Sequence, residues 1–532
     1  MFLAGYVSDE RDLALADVVL EFIGSAGSFE ARSRATGSVY VDVPAGVYEV
    51  ALQKPGYGPK RTTLDLAPER PPARLRLLSD GLLGYAWPKW VKGGDLGEFR
   101  VHAVEPYELS LYRMGLVQEH VQSLGWHDEH GPRATVQTVP DGDFTRTGVG
   151  WNEQGYVNPI LHQKVRAPER SGLYYFHART RSGARFGFPW IVAPARPTTA
   201  LAVLASNITW NAYNNFGGRS NYISPDGLPD RPTVNARHDL GRYTLPGGVV
   251  YRGDSYDPLS FDRPEPCNDL DRDERPLDPI KGRAACHLAA AEWRLLAWLE
   301  REGFAYDYYA ETQLHQGALD LDAYRVLVLS THPEYWTRSM YIKVKDWVHN
   351  RGGRLVYLGG NGLNCEVDLV EPAAAVYQNG DARGLGDRGL ESRFHARVES
   401  EASLLGVVFT EAGAMTGAPY RVLQPGHWAF AGTGLSEGDL FGKASLHERC
   451  PGGASAHETD KISPHSPPNT QLLAKGTNRD HGGADLAYYE TQSQGAVLAA
   501  GSIAWPSAIL VDKHASRITA NVLRRFLVPG PH

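Results

Sequence analysis

The sequence predicts two β-sandwich domains followed by one α/β domain. Three observations carry this reading. Residues 1–196 hold short alternating strands broken by Pro and Gly, the pattern of half-buried antiparallel sheets. After Pro197 the strands become continuous apolar runs, as expected of strands buried on both faces. Those runs alternate with helical periods, which argues for βαβ units and a doubly wound sheet. A chain of 532 residues has room for about three such domains.

The first domain spans residues 1–78. Residues 18–23, 38–43 and 48–52 are predicted strands, and Pro44-Ala45-Gly46 is a turn before the last of them. This module resembles the carboxypeptidase-regulatory-like or transthyretin-like sandwiches. Pro71-Pro72 marks its exit. Residues 79–196 form the second domain, with strands at 99–104, 107–112, 173–179 and 188–192. It is read as an immunoglobulin-like sandwich. Pro194-Ala195-Arg196-Pro197 is a stiff linker into the third domain, 197–532.

In that third domain, residues 200–205, 324–330, 354–359 and 495–501 read as buried strands. Residues 284–302, 339–351 and 517–527 read as helices, with apolar side chains recurring at helical spacing. Between about 370 and 480 the chain is irregular and rich in Gly, Pro, His and acids. Long irregular stretches in compact domains usually carry function, so an insertion with short strands, folding over the site, is expected there.

Composition removes several function classes. Hydrophobic residues make up 42% and charged residues 22%, with a net charge of −7, so there is no basic footprint for nucleic acid. Four cysteines lie far apart without C-x-x-C or zinc-finger spacing. The N-terminus has no basic segment followed by an apolar run, and no stretch of about 18 apolar residues exists. A cytoplasmic protein that neither spans a membrane nor binds nucleic acid is the expectation.

Ligands of open parallel sheets bind beyond the carboxyl ends of the strands. Three such ends are polar: Asn211-Ala212-Tyr213-Asn214-Asn215-Phe216-Gly217-Gly218, Thr331-His332-Pro333-Glu334-Tyr335-Trp336 and Gly359-Gly360-Asn361-Gly362. The second is the sharpest, because a carboxylate and an imidazole straight after a buried strand must be paired, coordinated or solvated. Glu334 capping a helix with His332 on a backbone partner, and a functional site, are both open at this point. An ordinary turn is equally open for the Asn-rich segment. No Gly-x-Ser-x-Gly elbow, P-loop or dinucleotide fingerprint follows a strand. Cys365 is the one candidate thiol nucleophile.

Taken in order, these motifs, with Phe261-Asp262-Arg263-Pro264 and Gly501-Ser502-Ile503-Ala504-Trp505, resemble the large (beta) subunit of N,N-dimethylformamidase over residues 197–530. The resemblance implies a glutamine-amidotransferase-like (flavodoxin-like) domain without that fold's cysteine. It implies a mononuclear Fe(III) held by two tyrosines and a glutamate, hydrolysing a small amide with metal-activated water. Carried over, Tyr213 and Glu334 are metal ligands, and Tyr256 is the second tyrosine with Tyr251 as its rival. His332, Glu458 and Asn361 take catalytic roles, with Glu458 as base. Asn211, Asn214 and Trp336 are assigned to substrate binding. A homo-oligomer, with a small helical subunit, is implied as well. The family's subunit is longer than this chain and carries an extra lectin-like β domain. Two further readings stand beside this one. One is a non-catalytic carbohydrate- or protein-binding chain using Trp87, Trp90, Trp151 and Tyr156. The other is a hydrolase built on Cys365.

Overall fold

A computed structural model describes residues 1–127, 142–151, 163–234, 256–280, 286–370, 373–382 and 384–528. Near the N-terminus, a three-stranded sheet (Ser38–Val41, Phe2–Ser8, Ala73–Arg76) faces a four-stranded one (Gly27–Arg32, Val19–Gly24, Gly46–Gln53, Lys60–Leu66). Alternation puts Val7, Leu20, Phe22, Val39, Val50 and Leu52 in their shared core. A second pair of sheets follows. Leu82–Trp87, Leu96–Ala103 and Lys164–Arg166 oppose a five-stranded sheet built around Tyr107–Met114, Gly172–Thr180 and Arg185–Ala193.

Beyond Pro197 a single nine-stranded sheet organises the chain. Its strands are β1 (Leu201–Ala205), β2 (Asp307–Ala310), β3 (Val326–Thr331), β4 (Arg354–Gly359), β5 (Tyr420–Val422), β6 (Leu440–Phe441), β7 (Gln471–Gly476), β8 (Asp485–Glu490) and β9 (Ala496–Ala499). The spatial order is β2-β1-β3-β4-β9-β8-β7-β5-β6. The first five are parallel and the last four continue as an antiparallel meander.

Both faces of the parallel part are covered, which is why its strands are largely apolar. Val203, Val326, Val328, Val356 and Leu358 point to one core, shared with helices α2 (Ala289–Arg301) and α4 (Lys513–Leu527). Ala202, Leu204, Leu327, Leu329 and Leu355 point to the other, under α3 (Arg338–Arg351). Thr337 caps α3 by accepting from the Met340 amide, and Gly352 closes it at φ 76°. No helix among the described residues is long and apolar enough to cross a membrane.

Two features differ from the sequence reading. The irregular stretch expected between about 370 and 480 contributes β5, β6 and β7 to the main sheet. Residues 214–218 of the Asn-rich segment do turn, but Asn211, Ala212 and Tyr213 end a short helix, α1 (Asn207–Tyr213). Its residues are mediocre helix formers, and tertiary contacts hold it instead. The Trp210 indole donates to Glu292 on α2 at 2.9 Å. Arg263, fully buried, donates to the carbonyls of Asn211, Asn214 and Phe216 and to Asn211 Oδ1.

The β-rich modules are bolted to this domain. Asp262 accepts from Tyr85 and Arg100, both at 2.6 Å. Lys89 pairs with Glu265 at 2.6 Å, and Arg113 with Glu300 at 2.6 Å. The loop after α1 touches the N-terminal module itself. The Gly217 amide donates to the Glu10 carbonyl and Arg76 to the Gly217 carbonyl. Gly217 and Gly218 have φ of 101° and 93°, open to glycine at little cost. A β-carbon on Gly218 would lie 2.5 Å from Asp12 Cβ, and one on Gly217 2.6 Å from Thr145 Cγ2.

Glu292 yields a test of this packing. It is fully buried and accepts from the Ser206 amide, the Trp210 indole and the Tyr308 hydroxyl. Burial pushes its carboxyl up to about 8, against the pull of those bonds. The unfolded carboxyl releases its proton near 4.5 while the folded one keeps it, so stability falls as pH rises from about 4.5 to 8. Glu292→Gln keeps the acceptor and cannot ionise. Urea unfolding across this window should lose about 1 kcal/mol of slope per pH unit in the variant. An unchanged slope would show that Glu292 is ionised in the fold.

Candidate functional site

The carboxyl ends of β1, β3 and β4 converge on Glu334. Its amide donates to Thr209 Oγ1 on α1 at 3.1 Å, which ties the β3 end to the helix. Its carboxylate is 2% exposed and is met from four directions. Oε1 accepts from Arg393 Nη2 at 3.0 Å. Oε2 lies 2.6 Å from the Tyr222 hydroxyl, 3.3 Å from the Tyr213 hydroxyl and 3.4 Å from His332 Nε2. The two phenol oxygens are 2.8 Å apart, and Tyr335 stands 2.7 Å behind Tyr222.

A second carboxylate faces the first across His332. His332 Nε2 is 3.2 Å from Glu458 Oε2, and Asn361 Nδ2 donates to the same oxygen at 2.9 Å. Burial alone would lower the His332 imidazole, but the Glu458 bond and the charges of Glu458 and Glu334 outweigh it and raise it. Burial pushes the Glu458 carboxyl upward, yet the bond and charge of His332 bring it well below the usual range. The pair therefore behaves as imidazolium and carboxylate.

Backbone strain gathers here. Thr331, Asn361, Leu363 and His457 all have φ between 50° and 74°, a region costly for residues with a β-carbon. Asp460 holds the strained turns in register. It accepts from the Asn361 amide and the Tyr357 hydroxyl, both at 2.7 Å, while its own amide donates to Gly501 at 2.8 Å. Burial pushes its carboxyl up to about 6 against those two bonds.

The oxygens fit a hard metal ion. Tyr213, Tyr222 and Glu334 Oε2 form a triangle with edges of 2.6, 2.8 and 3.3 Å. An octahedral ion with bonds of about 2.0 Å separates neighbouring oxygens by about 2.8 Å. Two phenolates and one carboxylate would neutralise a trivalent ion, and all three donors are hard.

The structure thus brings together Tyr213, Glu334, His332, Glu458 and Asn361 from the sequence reading. Asn211 and Asn214 are fully buried, and their amides serve scaffolding. Asn211 Nδ2 donates to the Leu259 carbonyl, and Asn214 Nδ2 to the Pro264 carbonyl. Trp336 is buried and donates to Glu311 at 2.7 Å. Tyr256 is buried ahead of a short strand, Leu259–Ser260, and Tyr251 lies outside the described residues. Cys365 is fully buried, and burial pushes its thiol up to about 12, far from a reactive thiolate. Trp151 is fully buried against Tyr85 and His102, and Trp90 packs edge-on to Phe261. Trp87 and Trp90 are half-buried, so of these residues Trp151 alone is fully interior; Tyr156 lies outside the described residues.

Sequence reasoning missed Tyr222, Arg393 and a row of buried histidines. The His287 ring stands 4.5 Å from Tyr213 and 5.5 Å from His332, and His447 bonds His457 at 3.1 Å. The one available signal was Tyr222 itself, a second tyrosine nine residues after Tyr213 beyond the same strand end.

Residues 108–516 match the family described as N,N-dimethylformamidase beta subunit-like, C-terminal. The N,N-dimethylformamidase beta subunit of an Alcaligenes species is 25% identical over 504 residues, covering 78% of this chain and 63% of that protein. That of Paracoccus aminophilus is 24% identical with the same coverage. The chain thus spans about 63% of the length of the curated relatives it matches.

Arg393 should be essential to the fold around Glu334. Removing one partner of a buried ion pair leaves an uncompensated charge. Arg393→Met is expected to cost about 3 kcal/mol in urea unfolding, and adding Glu334→Gln should restore most of it. A loss under about 1 kcal/mol would mean that the tyrosines and His332 suffice to hold the carboxylate.

Proposed function

The chain belongs to the N,N-dimethylformamidase beta subunit-like family, and from that premise we propose that it hydrolyses the C–N bond of a small N-substituted amide at an iron-dependent site. The observation that carries this reading is the oxygen triangle of Tyr213, Tyr222 and Glu334, with the His332–Glu458–Asn361 group beside it. Tyr213, Tyr222 and Glu334 would hold a single ferric ion. When bound, such an ion supplies Lewis acidity toward an amide carbonyl and toward water.

The chain's own residues then do the rest. Arg393 fixes Glu334 Oε1 and leaves Oε2 turned to the tyrosines. Glu458 accepts the proton of the attacking water, and its orientation is set by Asn361. His332, held as imidazolium between the two carboxylates, gives its proton to the departing nitrogen and takes in its place the one Glu458 received from water. The hydroxyl adds to the acyl carbon, the C–N bond breaks, and an amine and a carboxylate leave. We place this chemistry on a glutamine-amidotransferase-like variant of the doubly wound sheet. The relatives are named as beta subunits, so the proposal includes assembly with further copies and with a small second subunit, as a cytoplasmic enzyme.

Two measurements test this. Purified protein should contain about one iron per chain and show a phenolate-to-iron absorption band. The band should shift or vanish in Tyr222→Phe and Tyr213→Phe and persist in Tyr256→Phe. The opposite pattern for positions 222 and 256 would move the second ligand to Tyr256. Separately, Glu458→Gln should lower kcat for amide hydrolysis by about 100-fold or more with iron content unchanged. Full activity in that variant would remove Glu458 from the reaction.

A further inference from the structure

We propose that Glu391, His395 and His465 form a second metal site, for a divalent transition ion such as zinc, that ties two distant segments together beside Arg393. One donor atom from each residue lies within 4.8 Å of the other two. The His395 and His465 rings stand 4.6 Å apart, edge to face. Two imidazoles and one carboxylate are a common zinc set, and bonds of about 2.0–2.2 Å around a tetrahedral ion put ligand atoms about 3.4 Å apart. Closing from the observed separation takes a side-chain rotation of His465, which is exposed and free to swing.

The supports of the ligands are already built. The Ser400 hydroxyl donates to Glu391 Oε2, leaving Oε1 as the ligand oxygen and fixing the carboxylate from behind. Ser392 Oγ accepts from the His395 amide at 2.9 Å and donates to Glu401 at 2.6 Å, which anchors the turn carrying His395. His395 Nδ1 accepts one contact, from the Glu391 amide at 3.2 Å, the single bond it gives up if that nitrogen takes the ion. His465 sits on a turn in which the Ser463 amide donates to Ser466 Oγ and Ser466 Oγ donates to the Gly406 carbonyl.

This donor set differs in kind from the oxygen triangle at Glu334. Imidazole suits zinc and its neighbours, whereas phenolate and carboxylate suit harder ions, so the two sites would sort metals by chemistry. Arg393 lies on the same turn, between Glu391 and His395, and its guanidinium grips Glu334. An ion at the outer site would therefore pin the turn that aims Arg393, without touching the reacting atoms.

The site stands apart from the amide reading, and the experiment separates them. Full-length Glu334→Gln protein, stripped with chelator, should bind one equivalent of zinc in calorimetric titration, with a raised unfolding midpoint. Adding His465→Ala or Glu391→Gln should weaken that binding at least about 10-fold and abolish the midpoint shift. No zinc bound by Glu334→Gln, or zinc bound equally by all three, overturns the proposal. Should Glu334→Gln not fold, iron-loaded wild type serves instead. It should take up one zinc that His465→Ala cannot, with the iron band intact in both, and equal uptake by the two proteins overturns the proposal.

Discussion

Burying the Glu334 carboxylate is the constraint around which this chain is arranged. A charge removed from water costs several kcal/mol unless it is paired and hydrogen-bonded. Here the compensation comes from Tyr213 on α1, Tyr222 on the following loop, His332 on the β3 end and Arg393 from the long irregular stretch. Apart from His332, two residues upstream, these partners lie 59 to 121 residues from Glu334, so the charge is stable only when their three segments have docked. The Asp460 bonds to Tyr357 and Asn361 repeat that logic one layer out. They hold Asn361, one of the four strained non-glycine residues, at its positive φ, because its surroundings over-determine it.

The parallel half of the main sheet was legible because burial on both faces forces continuous apolar strands, and β1, β3, β4 and β9 have little choice of residue. The antiparallel extension was not. β5 and β6 have three and two residues, too short for any period to show, and Pro and Gly surround them. Helix α1 was illegible for another reason. Its stability lies in Arg263 and Glu292, fifty or more residues away in sequence, and no local pattern records such partners.

The site was half legible. His332, Glu334, Asn361, Glu458 and Tyr213 fall at strand ends or in an ordered motif set, where ionisable groups stand out. Arg393 sits in a stretch without periodicity, and nothing local marks it as the partner of a strand-end carboxylate. Asn211 and Asn214 illustrate the converse. A buried asparagine that satisfies backbone carbonyls looks the same in sequence as one that meets a substrate, and here both do the former. Arg263 of the Phe-Asp-Arg-Pro segment bonds both asparagines, which ties the two segments together in space.

The contact between Gly218 and Asp12 gives the front module a role beyond ballast. The segment from Gly217 to Tyr222 is short, its far end is a phenol of the oxygen triangle, and its near end rests on the N-terminal sandwich. The sandwich is in effect the abutment of an arch whose keystone is Tyr222. Any change in that module alters the span on which the tyrosine sits, so the outermost domain bears on the position of the innermost phenol.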